Sequence, residues 1–470
     1  MPARDVDDAE SETNGSDSTD TAAVTAPGPA SGSARGSAWW KPSDPRFAGA
    51  LALAAVVGVA LRVLVVVVSR WDVALGQDDA GYYAGQARLL RQGHGFIEPF
   101  LYAYTDGRLR SPSATHPPLF SLLLALADLV GFGSVNGMRL VSCAIGGAAI
   151  VLVGLLGREL AGRRAGMIAG GIAALYPVWW LSDSLILSEV LYVPLVAATL
   201  LLAYRLWRQP TPGRAVGLGV VGALAALTRS EGLLLLALVA GCVVVLCPRI
   251  ERRRRIQLVA LTGVAAVLTI SPWIAYNASR FDRVVTMSTN DGATFADANC
   301  PATYSGRYLG LYVFQCHVPS VSERGDESER AHRLADVGIQ YARDHADRVP
   351  VVVAARVGRV WGVFGPVQTI DADAFGRWSH RTSQFMLAGY WLVAVGGLAG
   401  FVVLRRRGVP ISPLVASIVA VTITAAVTYG IIRFRVPGDV VFVALSAVTV
   451  DALLARGFPA RRRAEPDPAR

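Results

Sequence analysis

The residues best suited to chemistry stand together in one polar run, Gly76-Gln77-Asp78-Asp79-Ala80-Gly81-Tyr82-Tyr83. Two adjacent carboxylates precede an aromatic pair and a stretch of helical character over 80–92. A carboxylate in such a place can take a proton from a hydroxyl or bind a cation. It can equally cap the helix that follows and interact with its dipole. The two roles are compatible, because a capping side chain is held still.

Other candidates follow along the chain. Thr115-His116-Pro117-Pro118-Leu119 puts a histidine before two prolines that stiffen the entry to an apolar stretch. His116 can hydrogen-bond a phosphate or a sugar hydroxyl, or serve only the structure. No second His or Cys stands near it at zinc-ligand spacing. Asp183 and Glu189 flank a short polar turn, and Glu189 opens an apolar run, where an ionisable group either functions or reaches back to water. Leu227-Thr228-Arg229-Ser230-Glu231-Gly232 interrupts an apolar run from 216 to 245. Arg229 needs a partner there: Glu231, an acidic loop residue, or a lipid phosphate, which a guanidinium fork matches. Ile432-Arg433-Phe434-Arg435-Val436-Pro437 repeats the pattern. Two arginine pockets beside several carboxylates describe a site for a phosphate leaving group next to a base.

The elements that position these residues are apolar. Of 470 residues, 53% are hydrophobic and 17% charged, against roughly 25% charged in a typical soluble domain. Mean hydropathy is +0.42. Lipid is therefore the expected solvent for much of the chain, with enough apolar residues for about ten spans of ~20 residues. The net charge of +10 is not a nucleic-acid signal. Lys41 is the sole lysine, and the arginines sit in short blocks between apolar runs: Arg158 with Arg163 and Arg164, Arg205 with Arg208 and Arg214, Arg249 with Arg252 to Arg255, Arg405 to Arg407, and Arg456 with Arg461 to Arg463. That is the distribution of cytoplasmic loops.

The predicted fold is an all-α polytopic membrane protein of about ten transmembrane helices, with interfacial helices in the first and the long external loops. The spans fall at about 47–69, 135–157, 165–181, 185–206, 215–228, 231–247, 256–276, 384–404, 411–432 and 437–455. This arrangement leaves every arginine block cytoplasmic, with both termini inside. Residues 1–46 read as a disordered cytoplasmic tail, 47–455 as the transmembrane domain with external loops 70–134 and 277–383, and 456–470 as a basic cytoplasmic tail. Residues 117–131 are too short to span and are expected at the interface. An amphipathic helix is predicted over 329–348. Residues 349–364, interrupted by Arg356 and Arg359, are taken as interfacial, with an eleventh span as the alternative. Cys143, Cys242 and Cys247 lie in apolar runs as small hydrophobes. Cys300 and Cys316 share the long external loop, where a disulfide can form; spacing alone leaves that pairing open.

The pattern Gln77-Asp78-Asp79-x-x-Tyr82-x-x-x-Gln86-Ala87-Arg88-Leu89-Leu90-x-x-Gly93-x-Gly95-Phe96 resembles the first-loop signature of membrane glycosyltransferases of the GT-C superfamily. It is most similar to family 39, with protein O-mannosyltransferases and the bacterial aminoarabinose transferases. The likeness runs on through His116-Pro117-Pro118-Leu119, the helix of Arg139, Ser188-Glu189, Arg229-Ser230-Glu231-Gly232, Ser271-Pro272-Trp273 with Asn277, Ser288-Thr289-Asn290 and Arg433-Phe434-Arg435-Val436-Pro437. The resemblance implies a sugar donor carried on polyprenyl phosphate, with Asp78 as the base and Arg229 near the lipid phosphate. The second acidic position is commonly Glu in the family and is Asp79 here, with a shorter reach. Metal use varies across the superfamily, so no metal site is assigned and a divalent cation stays an alternative.

The expected activity is inverting transfer of a sugar from a polyprenyl-phosphate donor to an extracytoplasmic acceptor: a protein, a glycolipid or a cell-wall glycan. Asp78 is the expected catalytic residue. Asp79, Tyr82, His116, Glu189, Arg229, Arg433 and Arg435 are the expected substrate-binding residues. The location is a cell membrane, read as a bacterial plasma membrane, with membrane lipid as a further partner and no nucleic acid. The rival readings are a transporter or flippase, which would hold its ionisable groups near the midplane of the spans, and a non-catalytic scaffold.

Overall fold

The structure, a computed structural model, describes residues 44–246, 251–316, 325–374 and 378–457. Apart from a few inner residues, both expected tails lie outside the described residues, as do Cys247, Arg249 and Arg461 to Arg463. Nineteen α-helices and several short 3-10 or π turns make up the described chain, with a lone bridge between Ile97 and Pro112 as its extended pairing.

The first helix, α1 (Pro45–Val65), starts where Asp44 accepts from the backbone N–H groups of Arg46 and Phe47 and Pro45 sets the first turn. It continues as a π turn, Val66–Arg70. Its flank is open: Leu53 is 65% and Val56 66% exposed, an apolar surface that lipid covers and water would penalise. The first loop, expected to be external, holds α2 (Asp79–Arg91), α3 (Pro99–Tyr104) and α4 (Leu119–Leu129). In α4, Phe120 and Leu124 are buried while Leu126 and Leu129 are exposed, two apolar faces that suit a helix at the membrane surface.

Next come α5 (Val135–Ala161) and α6 (Arg163–Leu175), an antiparallel pair turned at Gly162 with φ of 92°, a conformation that glycine adopts without strain. The two backbones are close enough that a Cβ on Gly166 would stand 2.7 Å from the Gly154 carbonyl oxygen. Small residues let membrane helices approach in this way. Pro177 then opens the short α7 (Pro177–Ser182), and α8 (Glu189–Arg208) follows. The central bundle is completed by α9 (Pro212–Ala226), α10 (Gly232–Leu246) and α11 (Arg252–Ala278).

The described part of the long loop folds as α12 (Asn290–Ala298), α13 (Pro301–Tyr304), α14 (Glu327–Asp344), α15 (Val349–Val360) and α16 (Pro366–Ala374). A disulfide joins Cys300 to Cys316 in this loop, so the pairing that spacing left open is made. The chain returns through α17 (His380–Arg406), α18 (Ser412–Val427) and α19 (Val436–Gly457).

Six segments are long and apolar enough to cross a membrane: Pro45–Arg70, Val135–Ala161, Glu189–Arg208, Arg252–Ala278, His380–Arg406 and Ile432–Arg456. They coincide with six of the ten expected spans. The other four expected spans coincide with shorter apolar helices, α6, α9, α10 and α18. A 15-residue helix such as α9 is about 22 Å long, short of the ~30 Å hydrocarbon core. Their lengths have local causes: Pro177 ends α6 early, and the polar turn around Arg229 separates α9 from α10. At 12 residues α15 is too short for an eleventh span, and both of its arginines are buried.

Candidate active site

Helix α2 begins the site. Asp78 is its N-cap, and Oδ1 accepts from the Gly81 N–H at 3.2 Å. Capping is thus one role of this residue. Asp79, the first helical residue, reaches across the molecule instead. Its Oδ2 lies 2.5 Å from Arg433 Nη1 and its Oδ1 lies 3.6 Å from His116 Nε2. Burial pushes the Asp79 carboxyl up, but Arg433 and His116 outweigh it and hold the group well below its ordinary value. Asp79 is a firmly ionised anchor.

Arg433 also donates from Nε to Glu189 Oε1. Glu189 Oε1 accepts in turn from Arg229 Nη1 at 2.7 Å, and Arg229 Nε pairs with Glu231 Oε1 at 2.5 Å. Arg229 Nη1 further contacts Ser188 Oγ at 3.4 Å. His116, Asp79, Arg433, Glu189, Arg229 and Glu231 therefore form one continuous charged network. It draws on the first loop, the start of α8, the α9–α10 turn and the turn before α19. Five of its members were singled out from the sequence as site residues, and Glu231 as a partner for Arg229.

His116 is held from behind. Its ring lies 5.0 Å from that of Tyr82 and 4.9 Å from that of Tyr83. The Tyr82 hydroxyl shares a hydrogen bond with Ser113 Oγ at 2.9 Å. The strand-like segment before His116 is bound by the long loop: the Thr289 N–H donates to Ala114 O, and Ser288 Oγ donates to Thr115 O at 2.7 Å. Glu327, at the start of α14, accepts from the Ala114 N–H at 2.9 Å, from the Thr115 hydroxyl at 3.3 Å and from the Thr289 hydroxyl. Sequence reading missed Glu327, which there is one acidic residue among several at the start of an amphipathic helix.

Arg435 faces elsewhere. Its Nε donates to Asp439 Oδ1 at 2.9 Å, and its guanidinium stacks 3.4 Å from the centroid of Tyr390. It lies two residues from Arg433 in the same 3-10 turn, yet no ion pair joins it to the Arg229–Glu189–Arg433 network among the described residues. Both arginines line a cavity that Glu189 also lines. Leu185, Leu187, Met386 and Leu387 supply much of its apolar wall.

The described side chains of this network are committed to one another. Both Asp79 oxygens face cationic or cation-forming groups, and among the described residues no group of three His, Cys, Asp or Glu side chains is arranged to hold one. No step below passes through a metal.

Residues 115–276 match the family model described as dolichyl-phosphate-mannose-protein mannosyltransferase. Among solved structures, the apo oligosaccharyltransferase of Archaeoglobus fulgidus aligns over 88% of this chain and 51% of its own, at 18% identity and a TM-score of 0.51. The archaeal oligosaccharyltransferase AglB from the same organism, in complex with an inhibitory peptide and a dolichol-phosphate, aligns over 88% and 51% at 17% identity, with a TM-score of 0.53. ArnT from Cupriavidus metallidurans, bound to undecaprenyl phosphate, aligns over 88% and 80% at 14% identity, with a TM-score of 0.43. The chain thus spans about half the length of the archaeal structures it matches. No curated protein matches it by sequence. The matched segment carries His116, Glu189 and Arg229, and the chain shares the fold of the archaeal oligosaccharyltransferase structures.

Proposed function

We propose that this protein is an integral-membrane glycosyltransferase that moves a sugar from a polyprenyl phosphate to an extracytoplasmic acceptor hydroxyl. One observation carries the reading. Four separate segments bring Asp79, Arg433, Glu189 and Arg229 into a single network, and Glu189 and Arg433 of that network line a largely apolar cavity. Two guanidiniums there suit a lipid phosphate, and the apolar wall suits what is attached to it. The dolichol-phosphate complex of a protein of the same fold supports the same donor class.

In the proposed reaction the donor phosphate competes with carboxylates for Arg433 and Arg229. The acceptor oxygen attacks the anomeric carbon from the face opposite the phosphate, the bond from that carbon to the phosphate oxygen breaks, and the configuration inverts. Asp78 takes the acceptor proton. Asp79, held ionised by Arg433 and His116, is a poor proton acceptor, so the base role falls to its neighbour. The arginines stabilise the departing phosphate charge. Tyr82 and His116 shape the acceptor side, and Arg435, fixed by Asp439, lines the cavity rather than meeting the phosphate. The acceptor is a protein, a glycolipid or a cell-wall glycan, and the setting is a bacterial plasma membrane with both termini cytoplasmic.

The test is binding and transfer by the purified full chain in nanodiscs. Wild-type protein is expected to bind polyprenyl phosphate and to release it from a glycosylated donor when acceptor is present. Arg433→Ala and Arg229→Ala are expected to lose that binding. Passage of the lipid across the bilayer without loss of its sugar would refute the transferase reading and favour a flippase.

A further inference from the structure

Beside Glu189 and Arg433 the cavity has a polar lining that the proposed reaction does not yet use. Asp183 stands in it, 4% exposed. Its Oδ2 accepts from Arg62 Nε at 2.6 Å. Arg62 is a fully buried arginine within the apolar α1, and its Nη1 donates to Gly58 O at 2.9 Å and weakly to Ala174 O at 3.5 Å. The pair is backed by Gly146 of α5: a Cβ there would stand 2.4 Å from Asp183 Oδ2 and 2.5 Å from Arg62 Nε. A buried arginine in a membrane span is costly unless it is paired and put to use. Here it is spent holding one carboxylate in one orientation.

That orientation leaves the other Asp183 oxygen without a hydrogen-bond donor among the described residues, and Asp183 lines the cavity. Ser182, Ser383, Trp179 and Trp378 line the same cavity. Both indole N–H groups are buried and make no hydrogen bond among the described residues. Trp378 is steadied by the Arg70 guanidinium, 4.0 Å from its ring centroid. A fixed carboxylate, two hydroxyls and two aromatic platforms with idle N–H donors are poorly suited to a hydrocarbon chain, because each buried unpaired polar group is unfavourable against it. They suit a ring that presents hydroxyls at its edge and C–H groups on its face.

We infer that these residues form the subsite for the sugar of the donor, in which Asp183, oriented by Arg62, accepts hydrogen bonds from ring hydroxyls, and that the subsite rejects an anionic sugar. The inference rests on the transferase reading and names the substrate class of the same site. An anionic uronic acid would set its carboxylate against Asp183 with Glu189 and Asp439 lining the same cavity. The Arg62 charge is already matched by Asp183, and the Arg435 charge by Asp439.

Two probes separate this from the phosphate site: a polyprenyl phosphate, and the same lipid bearing a neutral hexose. Affinities are read by titration of the full chain in nanodiscs. Wild-type protein is expected to bind the hexose-bearing lipid more tightly than the bare one. Asp183→Asn is expected to weaken the hexose-bearing lipid on the order of tenfold, the scale of one charge-assisted hydrogen bond, with the bare lipid unchanged. An equal loss for both lipids, or no loss for either, overturns the inference. Should Asp183→Asn fail to fold with Arg62 unpaired, Ser383→Ala and Trp179→Phe each remove one donor and spare the ion pair. Selective weakening of the hexose-bearing lipid in these variants supports the subsite, and none in either overturns it. Equal wild-type affinity for a lipid bearing a uronic acid overturns the rejection of an anionic sugar. Failure of the wild type to bind even the bare lipid overturns the transferase reading and this one with it, whereas bare-lipid binding with no sugar preference overturns this one alone.

Discussion

Arg433 Nη1 lies 2.5 Å from Asp79 Oδ2, an ion pair that ties the first long loop to the turn entering the last apolar helix. The same guanidinium reaches Glu189 at the start of α8, so one side chain fastens three parts of the chain around the proposed reaction centre.

Removing Arg433 and removing Asp79 should not be independent. Arg433→Ala is expected to cost donor affinity on its own. With Arg433→Ala already made, Asp79→Ala should add less than it costs alone, with a coupling of about 0.5–3 kcal/mol in a double-mutant cycle on stability. Additive effects would mean that the pair contributes nothing measurable.

Asp79 also makes a pH prediction. Its folded-state carboxyl lies well below the ordinary value of 3.8. A depressed carboxyl contributes stability that is present above the unfolded value and lost as pH falls toward the folded one. The stability difference between wild type and Asp79→Asn should therefore be level from neutrality down to about pH 4 and shrink only below it. Thermal unfolding across that range measures it, and a difference that vanishes between pH 7 and pH 5 would contradict the assignment.

Asp78→Asn keeps a capping side chain at the start of α2 and removes the proposed base. Transfer should fall by a factor on the order of 10² or more while folding and donor binding persist. Asp79→Asn should be milder for the chemical step. Full activity in purified Asp78→Asn rules out the base, and loss confined to Asp79→Asn moves the role one residue along.

Glu327→Ala takes away the acceptor shared by the Ala114 N–H and the Thr115 and Thr289 hydroxyls. About 1–3 kcal/mol of stability should be lost, the scale for buried donors left unpaired. Because the segment it binds ends at His116, turnover should fall more than donor affinity. A loss of donor affinity alone would place the effect at the phosphate instead.

Topology is open to labelling. Asp336 lies on the exposed side of α14 in the long loop. Asp336→Cys should react with a membrane-impermeant maleimide in intact cells, and reaction only after permeabilisation would put the loop inside.

What the sequence by itself determined here is what local rules govern. Apolar runs and arginine blocks located the helices, and six of the expected spans have the length to cross. An Asp before a helical stretch was legible as a cap, and Asp78 is one. An arginine breaking an apolar run signalled a need for a partner, and Arg229 has Glu189 and Glu231. Tertiary structure alone decided which carboxylate meets which guanidinium. Asp79 and Asp78 are adjacent, yet one joins the charged network and the other caps. Arg433 and Arg435 share one 3-10 turn, yet the turn sends the first to Glu189 and the second to Asp439. Glu327 and the Arg62–Asp183 pair left no local pattern, because their partners come from distant segments. An ion pair depends on separations of a few ångströms, whereas sequence spacing reports only neighbours along the chain.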